Sequence, residues 1–165
     1  LAHSRELTVF TNPLPNSYQR FGCDEAPRYV SWSRQNRSQL VRIPQVKGTN
    51  CRMELRSPDP ACNPYLAVGL VLAAGLDGIE HRMVLQAPIN KNLFDPAEAA
   101  GLGLERLPST LEEAVQAAQE SEFLHRVLPE ELSHRYYEEE LKRCAALKAA
   151  ADPAEYERVH YFNAI

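Results

Sequence analysis

The strongest constraint on the fold is the run Arg52-Met53-Glu54-Leu55-Arg56-Ser57, followed at once by Pro58-Asp59-Pro60. Strict alternation of charged and apolar side chains is the period of a strand, not of a helix. Proline has no N–H for a sheet ladder, so Pro58 and Pro60 end the strand abruptly. On an extended backbone Arg52, Glu54 and Arg56 share one face, spanning roughly 13 Å, and Met53 and Leu55 point the other way. One face must meet a core while the other carries a cation, an anion and a second cation. Such a row is either a solvated ion-pair strip or one wall of a site for a charged ligand.

The surrounding charge is uneven. From Arg28 to Arg56 seven basic residues (Arg28, Arg34, Arg37, Arg42, Lys47, Arg52 and Arg56) face the single acid Glu54. From Glu105 to Glu140 ten acids face three arginines, most simply a solvated helical surface. Arginine is suited to bidentate holding of carboxylates and phosphates, so the first half is expected to address an anion. The net charge of −4 over 165 residues gives no support for binding nucleic acid across the whole surface. A hydrophobic content of 44% fits one globular domain, or a piece of a larger one. The chain starts at Leu1 without Met, shows no leader, and reads as excised from something longer. Its longest apolar run, Tyr65 to Leu76, is too short for a bilayer and contains Gly69 and Gly75. Cys23, Cys51, Cys62 and Cys144 form no CxxC pair and read as reduced packing thiols of a cytosolic protein.

In chain order, Glu6 to Thr11 is expected to be a short strand, closed by the stiff loop Asn12-Pro13-Leu14-Pro15-Asn16. The polar stretch Ser17–Pro27 is a long loop of the kind that serves as a lid or binding loop. Arg28–Ser33, Gln39–Ile43 and Arg52–Ser57 alternate as strands joined by short turns, which reads as an antiparallel meander. Pro64 opens a helix to Ile79 that is apolar almost all round, as a buried helix would be. Residues 81–108 are mostly irregular, and Ser109-Thr110-Leu111-Glu112 reads as a capping box opening a helix to about Gln119. Glu122–Val127 gives a further helical turn, and Pro129 starts a long helix to about Ala150 with Leu132, Tyr136, Leu141 and Leu147 as a partial stripe. Asp152 caps a last short helix, and the aromatic tail 159–165 is expected to dock. The fold class is therefore α+β: a small antiparallel sheet (residues 1–60) on a buried helix (61–80), with a helical C-terminal half (109–165).

Several motifs occur in an order that resembles the C-terminal part of the glutamine synthetase catalytic domain, of the bacterial type I-like kind. They are Phe10-Thr11-Asn12-Pro13, Asn16-Ser17-Tyr18-Gln19-Arg20, Glu25-Ala26-Pro27, Asn36-Arg37-Ser38 and Val41-Arg42-Ile43-Pro44. Arg52-Met53-Glu54-Leu55-Arg56, Pro58 to Leu66, Ala73 to Ile79 and Lys91-Asn92-Leu93-Phe94 follow. The resemblance implies part of an incomplete α/β barrel. Its reaction is ATP-dependent ligation of ammonia to the γ-carboxylate of glutamate through γ-glutamyl phosphate, in cytoplasmic nitrogen assimilation.

Residue by residue, the resemblance implies that Glu54 is a ligand of Mg²⁺ or Mn²⁺, a hard oxygen donor for a hard cation. Arg20 and Arg56 correspond to the arginines that hold glutamate. Arg37, Arg42 and Arg52 correspond to those around the phosphates of ATP, Arg37 also acting on the transferred phosphoryl group. Glu25 corresponds to the flap glutamate that helps to deprotonate ammonium. It further implies partners limited to glutamate, ATP, ammonium and copies of the same chain in a ring, with no nucleic acid and no membrane. The family's β-grasp domain, most of its metal carboxylates and its metal- and nucleotide-contacting histidines lie upstream of Leu1, so the chain alone is expected to be inactive and to self-associate.

Three positions depart from the family pattern. Thr49-Asn50-Cys51 stands where relatives carry a basic residue, the flap reads Phe21-Gly22-Cys23-Asp24-Glu25, and Phe94 replaces the tyrosine that adenylylated enzymes modify. With no hydroxyl there, adenylylation of this segment is not expected. Two other functions fit parts of the sequence: a γ-glutamyl ligase using a polyamine or other amine, and a non-catalytic phosphate- or nucleic-acid-binding module. The second would need stacking aromatics beyond Tyr29 and Trp32.

Overall fold

A computed structural model describes residues 1–23 and 25–162. Seven helices and three very short strands follow one another: α1 Thr8–Thr11, β1 Trp32–Ser33, β2 Val41–Arg42, β3 Glu54–Leu55, α2 Pro64–Glu80, α3 Pro96–Ala99, α4 Leu111–Gln119, α5 Glu122–Val127, α6 Glu130–Ala149 and α7 Pro153–His160. Two 3₁₀ turns, Pro15–Arg20 and Gly48–Asn50, complete the described elements. The α+β class stands, with three corrections to its parts.

The first concerns Glu6–Thr11, which is a helical turn and not a strand. The threonines that favour a strand instead bond back to carbonyls four residues earlier, Thr8 Oγ1 to Ser4 O at 2.8 Å and Thr11 Oγ1 to Leu7 O at 3.2 Å. All four residues of α1 are buried, so the turn has no solvent face whose alternation a strand would need.

The second concerns the sheet, which has the order β1-β2-β3 but is mixed. β2 and β3 are antiparallel, with Arg42 opposite Glu54, whereas β1 and β2 are parallel. Parallel strands ordinarily need a long crossover because the chain must travel back the full strand length. Strands of two residues need almost no return, and the loop 34–40 makes it. That loop buries Ser38, Gln39 and Leu40. The irregular segment then edges the sheet: Leu107 N bonds Arg28 O, Val30 N bonds Glu105 O and Ile89 N bonds Trp32 O.

The third concerns α2. Asn63 caps it, its Oδ1 accepting from the N–H groups of Tyr65 and Leu66, and Pro64 takes the first position. Yet only Ala67, Leu70 and Asp77 are buried, and Tyr65, Val68, Leu72, Leu76 and Ile79 are exposed. Val71, Ala74 and Gly75 face Val41, Met53 and Leu55 across a cavity of about 100 Å³, so one side of the helix meets the sheet and the other stands open.

The core lies in a seam between the N-terminal turns and the C-terminal helices. Val9, Phe10, Tyr18 and Phe21 pack with Leu111, Ala114, Val115, Ala118, Phe123, Leu124 and Tyr137. Phe10 stacks on Tyr136 at 4.7 Å between ring centroids. The buried face of α6 is Ser133, Tyr137, Glu140 and Cys144, with Leu132 and Leu141 exposed. Its apolar stripe is therefore turned from the expected one, because α6 contributes Tyr137 and Cys144 to the seam and not its leucines. Helix α4 is capped one residue later than expected, Thr110 Oγ1 accepting from Glu113 N and Glu113 accepting from the N–H and hydroxyl of Ser109. In the tail Tyr161 is buried and Phe162 exposed; residues 163–165 lie outside the described set.

Candidate active site

Cross-strand register builds the first part of the site. Because Arg42 lies opposite Glu54 in the antiparallel pair, its Nη1 reaches Glu54 Oε2 at 2.9 Å. Two residues before Glu54, on the same strand face, Arg52 reaches the other oxygen, Nη2 to Oε1 at 3.0 Å and Nε to Oε1 at 3.2 Å. The alternation read from the sequence holds in part: Met53 and Leu55 both line the cavity under α2, but only Leu55 packs against the core and Met53 is 58% exposed. Hydrogen bonding from Arg42, ahead of the opposing effect of burial, holds the Glu54 carboxyl below the usual carboxylate range.

Arg56 belongs to a second cluster. Its Nη2 donates to Glu25 Oε2 at 2.8 Å, the arginine side chain 14% exposed and the glutamate 60% exposed, so the carboxylate lies over the cation. Glu25 sits at the tip of a closed loop in which Gly22 N bonds Ala26 O and Ala26 N bonds Cys23 O. Its φ of 70° is left-handed, a region that costs a non-glycine residue energy and recurs in ligand clamps. Gly22, at φ 88°, is required: a Cβ there would stand 2.9 Å from Arg28 Nε, and Arg28 clasps the Phe21 carbonyl through two nitrogens.

Arg20 is held where the 3₁₀ turn meets the Pro58-Asp59-Pro60 turn. Its Nη2 donates to Asn12 Oδ1 at 2.6 Å and also to the Ser57 carbonyl, and its Nε faces Asp59 Oδ2 at 3.6 Å. Burial pulls its pKa down, against the carboxylate of Asp59. Arg37 is exposed and makes no ion pair among the described residues. The loop that carries it is nevertheless anchored, Asn36 Nδ2 and Gln39 Nε2 both donating to Lys91 O and Ser38 Oγ accepting from Leu93 N.

The fold thus gathers Arg42, Arg52 and Glu54, pairs Arg56 with Glu25, and leaves Arg20 and Arg37 in separate settings. Asn12 and Asp59 were read from the sequence only as loop and strand-end residues. Asn12 lies within one family motif and Asp59 within another, which is the signal that could have marked them. Among the buried polar atoms that lack a hydrogen-bond partner in the described residues, two are cationic: Arg20 Nε, with only the looser Asp59 contact, and Arg56 Nη1. An unpaired buried cationic donor is costly, and an anion is the group that relieves it. For a metal ion the set is poor: both oxygens of Glu54 already accept from arginine. No group of three or more His, Cys, Asp or Glu among the described residues could hold a cation.

The sequence matches the family described as glutamine synthetase, catalytic domain, over residues 1–159. The chain belongs to that family. A glutamine synthetase of Methanosarcina mazei is 44% identical over 161 residues, covering 96% of this chain and 36% of the relative. One from Staphylococcus aureus is 40% identical over 139 residues, covering 82% of this chain and 31% of the relative. Among solved structures, GmaS without ligand superposes with a TM-score of 0.80 at 32% identity, covering 98% of this chain and 36% of GmaS. A GmaS/ADP complex gives the same TM-score at 30% identity. The glutamine synthetase resemblance read from the motifs is borne out, and the chain spans about a third of the length of the curated relatives it matches, 36% and 31% of the two above. No helix among the described residues is long and apolar enough to cross a membrane.

Proposed function

We propose that this chain supplies one wall of the active site of an ATP-dependent glutamate–ammonia ligase. The observation that carries the reading is the pair of buried guanidinium nitrogens without a hydrogen-bond partner, Arg20 Nε and Arg56 Nη1, in a family whose relatives bear the name glutamine synthetase. These two cations take the carboxylates of glutamate. Arg37, Arg42 and Arg52 surround the phosphates of ATP; that a structural neighbour, GmaS, is found as an ADP complex supports a nucleotide as co-substrate. In the first step a γ-carboxylate oxygen of glutamate attacks the γ-phosphorus of ATP and the bond to ADP breaks. In the second, ammonia attacks the γ-carbonyl carbon and inorganic phosphate leaves with the electron pair of its oxygen. The arginines lower both barriers by facing the charge that spreads over the phosphoryl oxygens.

Glu25 is the base of this scheme. Displaced from Arg56 by substrate, its carboxylate takes the proton that ammonium must lose before it attacks. A Mg²⁺ or Mn²⁺ ion would draw on Glu54 only if its carboxylate were released from Arg42 and Arg52, and would then supply further positive charge for the phosphate oxygens. Because the metal site is incomplete here, the isolated chain is inactive and works in the cytoplasm as part of a longer polypeptide in a ring of copies. The exposed apolar face of α2 supports such burial against further protein.

The test is an assay of the full-length protein with glutamate, ATP and Mg²⁺ or Mn²⁺, with ammonium, putrescine or spermidine as acceptor. Glutamine and phosphate formed in equal amounts with ammonium are expected. Turnover only with a polyamine would move the function to γ-glutamyl–polyamine ligation, and no turnover with any acceptor would overturn the reading.

A further inference from the structure

Asn12 is fully buried at the end of α1, yet its amide is not used to satisfy the helix, whose cap is closed by the Asn12 N–H bonding Thr8 O. The orientation of that amide follows from its neighbours. Thr11 Oγ1 spends its only proton on the backbone carbonyls of Leu7 and Thr8, so toward Asn12 it can only accept. Asn12 Nδ2 therefore faces Thr11 Oγ1, at 3.0 Å, and Oδ1 is left to face Arg20 Nη2, at 2.6 Å. A second acceptor on the same nitrogen, the Ser57 carbonyl, is neutral as well. The one carboxylate paired with Arg20 among the described residues, Asp59, stands off at 3.6 Å, its backbone N–H bonded to Thr11 O at 2.8 Å. The socket thus fixes Nη2 through neutral oxygens and leaves the looser Asp59 contact at Nε as the ion pair of Arg20 among the described residues.

We propose that Asn12 is a positioning residue that aims Arg20 at the carboxylate of the amino-acid substrate without neutralising it. The inference rests on the reading of Arg20 as a glutamate-binding residue. Asparagine and aspartate have the same shape but differ by a charge, and this separates aiming from mere packing. In the Asn12→Asp protein Thr11 can turn its hydroxyl to donate, the fold is kept, and Arg20 gains a buried partner that competes with the substrate carboxylate.

The experiment measures KM for glutamate, KM for ATP, kcat and the unfolding midpoint in the full-length protein, for wild type, Asn12→Asp, Asn12→Ala and Arg20→Gln. Asn12→Asp is expected to raise KM for glutamate by roughly 10–100-fold, the range for losing a hydrogen bond to a charged group. KM for ATP and the unfolding midpoint stay as in wild type. Asn12→Ala raises the same constant and lowers the midpoint as well, because it leaves Arg20 and Thr11 short of a partner. Glutamate KM unchanged in Asn12→Asp but raised in Arg20→Gln would overturn the positioning role while sparing that of Arg20. An equal rise in both Michaelis constants of Asn12→Asp would also overturn it, showing a general structural defect. Glutamate KM unchanged in Arg20→Gln would remove the assignment of Arg20 and this inference with it, whereas glutamine formation by wild type alone decides the ligase reading.

Discussion

Between Leu111 and His160 lie four helices, of which α4, α5 and α7 carry side-chain caps, and α4, α5 and α6 bury Leu111, Ala114, Val115, Ala118, Phe123, Leu124, Tyr137 and Cys144 in one seam. Between Arg28 and Arg56 the regular structure shrinks to three strands of two residues, and the backbone is held by side chains. There Asn36, Ser38 and Gln39 tie one loop to the backbone around Lys91, and Arg28 clasps the carbonyl of Phe21. The first region gains its stability from burial, which is proportional to area and tolerant of detail. The second depends on individual polar contacts and keeps Arg56 Nη1 buried without a hydrogen-bond partner, an arrangement that suits a ligand site. Stability and chemistry are thus separated along the chain, joined through α1 and the turn Pro15–Arg20.

The separation can be broken most directly from the helical side. Leu111 is 1% exposed in the seam, and Leu111→Ala should cost about 2–5 kcal/mol in urea unfolding, with the spread set by how far the site collapses. A loss below about 1 kcal/mol would mean that the core lies elsewhere. From the other side, Arg56→Gln in the full-length protein should lower glutamate-dependent turnover by about 10²–10³-fold, the effect of losing one preorganised charge donor. Because the orphaned Nη1 of Arg56 contributes nothing favourable to the fold and its Nη2 pairs with a largely exposed Glu25, the unfolding free energy should fall by no more than about 1 kcal/mol. Equal damage to turnover and stability would erase the distinction between the regions.

A smaller effect sharpens the same contrast. Thr110 Oγ1 accepts from Glu113 N at 3.1 Å, and Thr110→Ala should cost about 1 kcal/mol without altering the arginine clusters. Ser109→Ala should cost less, since Ser109 N still donates to Glu113 Oε2 without the hydroxyl.

What could be read from the sequence follows the same division. The caps of α2 and α7, the extent of α5 and the two faces of the Arg52–Arg56 strand were legible, because each rests on neighbours within a few residues. The helical turn at Thr8–Thr11 was not, since its threonines have strand propensity and only burial on every side makes the turn favourable. Nor was the parallel pairing of β1 with β2, which depends on a loop held by Lys91, more than 50 positions away. The buried face of α6 misled for a related reason: Glu140 and Ser133 lie inside while Leu132 and Leu141 lie outside, and Glu140 is kept there by Arg143 at 3.0 Å. In the site, family motifs supplied the arginines and Glu25, but the polar socket of Asn12 and Asp59 around Arg20 came only with the coordinates.

The least destructive probe is Glu54→Gln, read against pH. Arg42, then Arg52, stabilise the ionised carboxylate in the folded chain and depress its pKa, whereas in the unfolded chain it titrates near the ordinary value of about 4.3. A group of this kind contributes stability that is fully present above the unfolded pKa and is lost as pH falls through the folded one. Wild type should therefore exceed the glutamine variant in stability by a constant margin at neutral pH, and the margin should close on acidification below the carboxylate range. At high salt it should narrow at every pH, since both arginines are partly open to solvent. A variant that is instead the more stable at neutral pH would show that Glu54 is kept for what it does in the assembled site, at the expense of the strand that carries it.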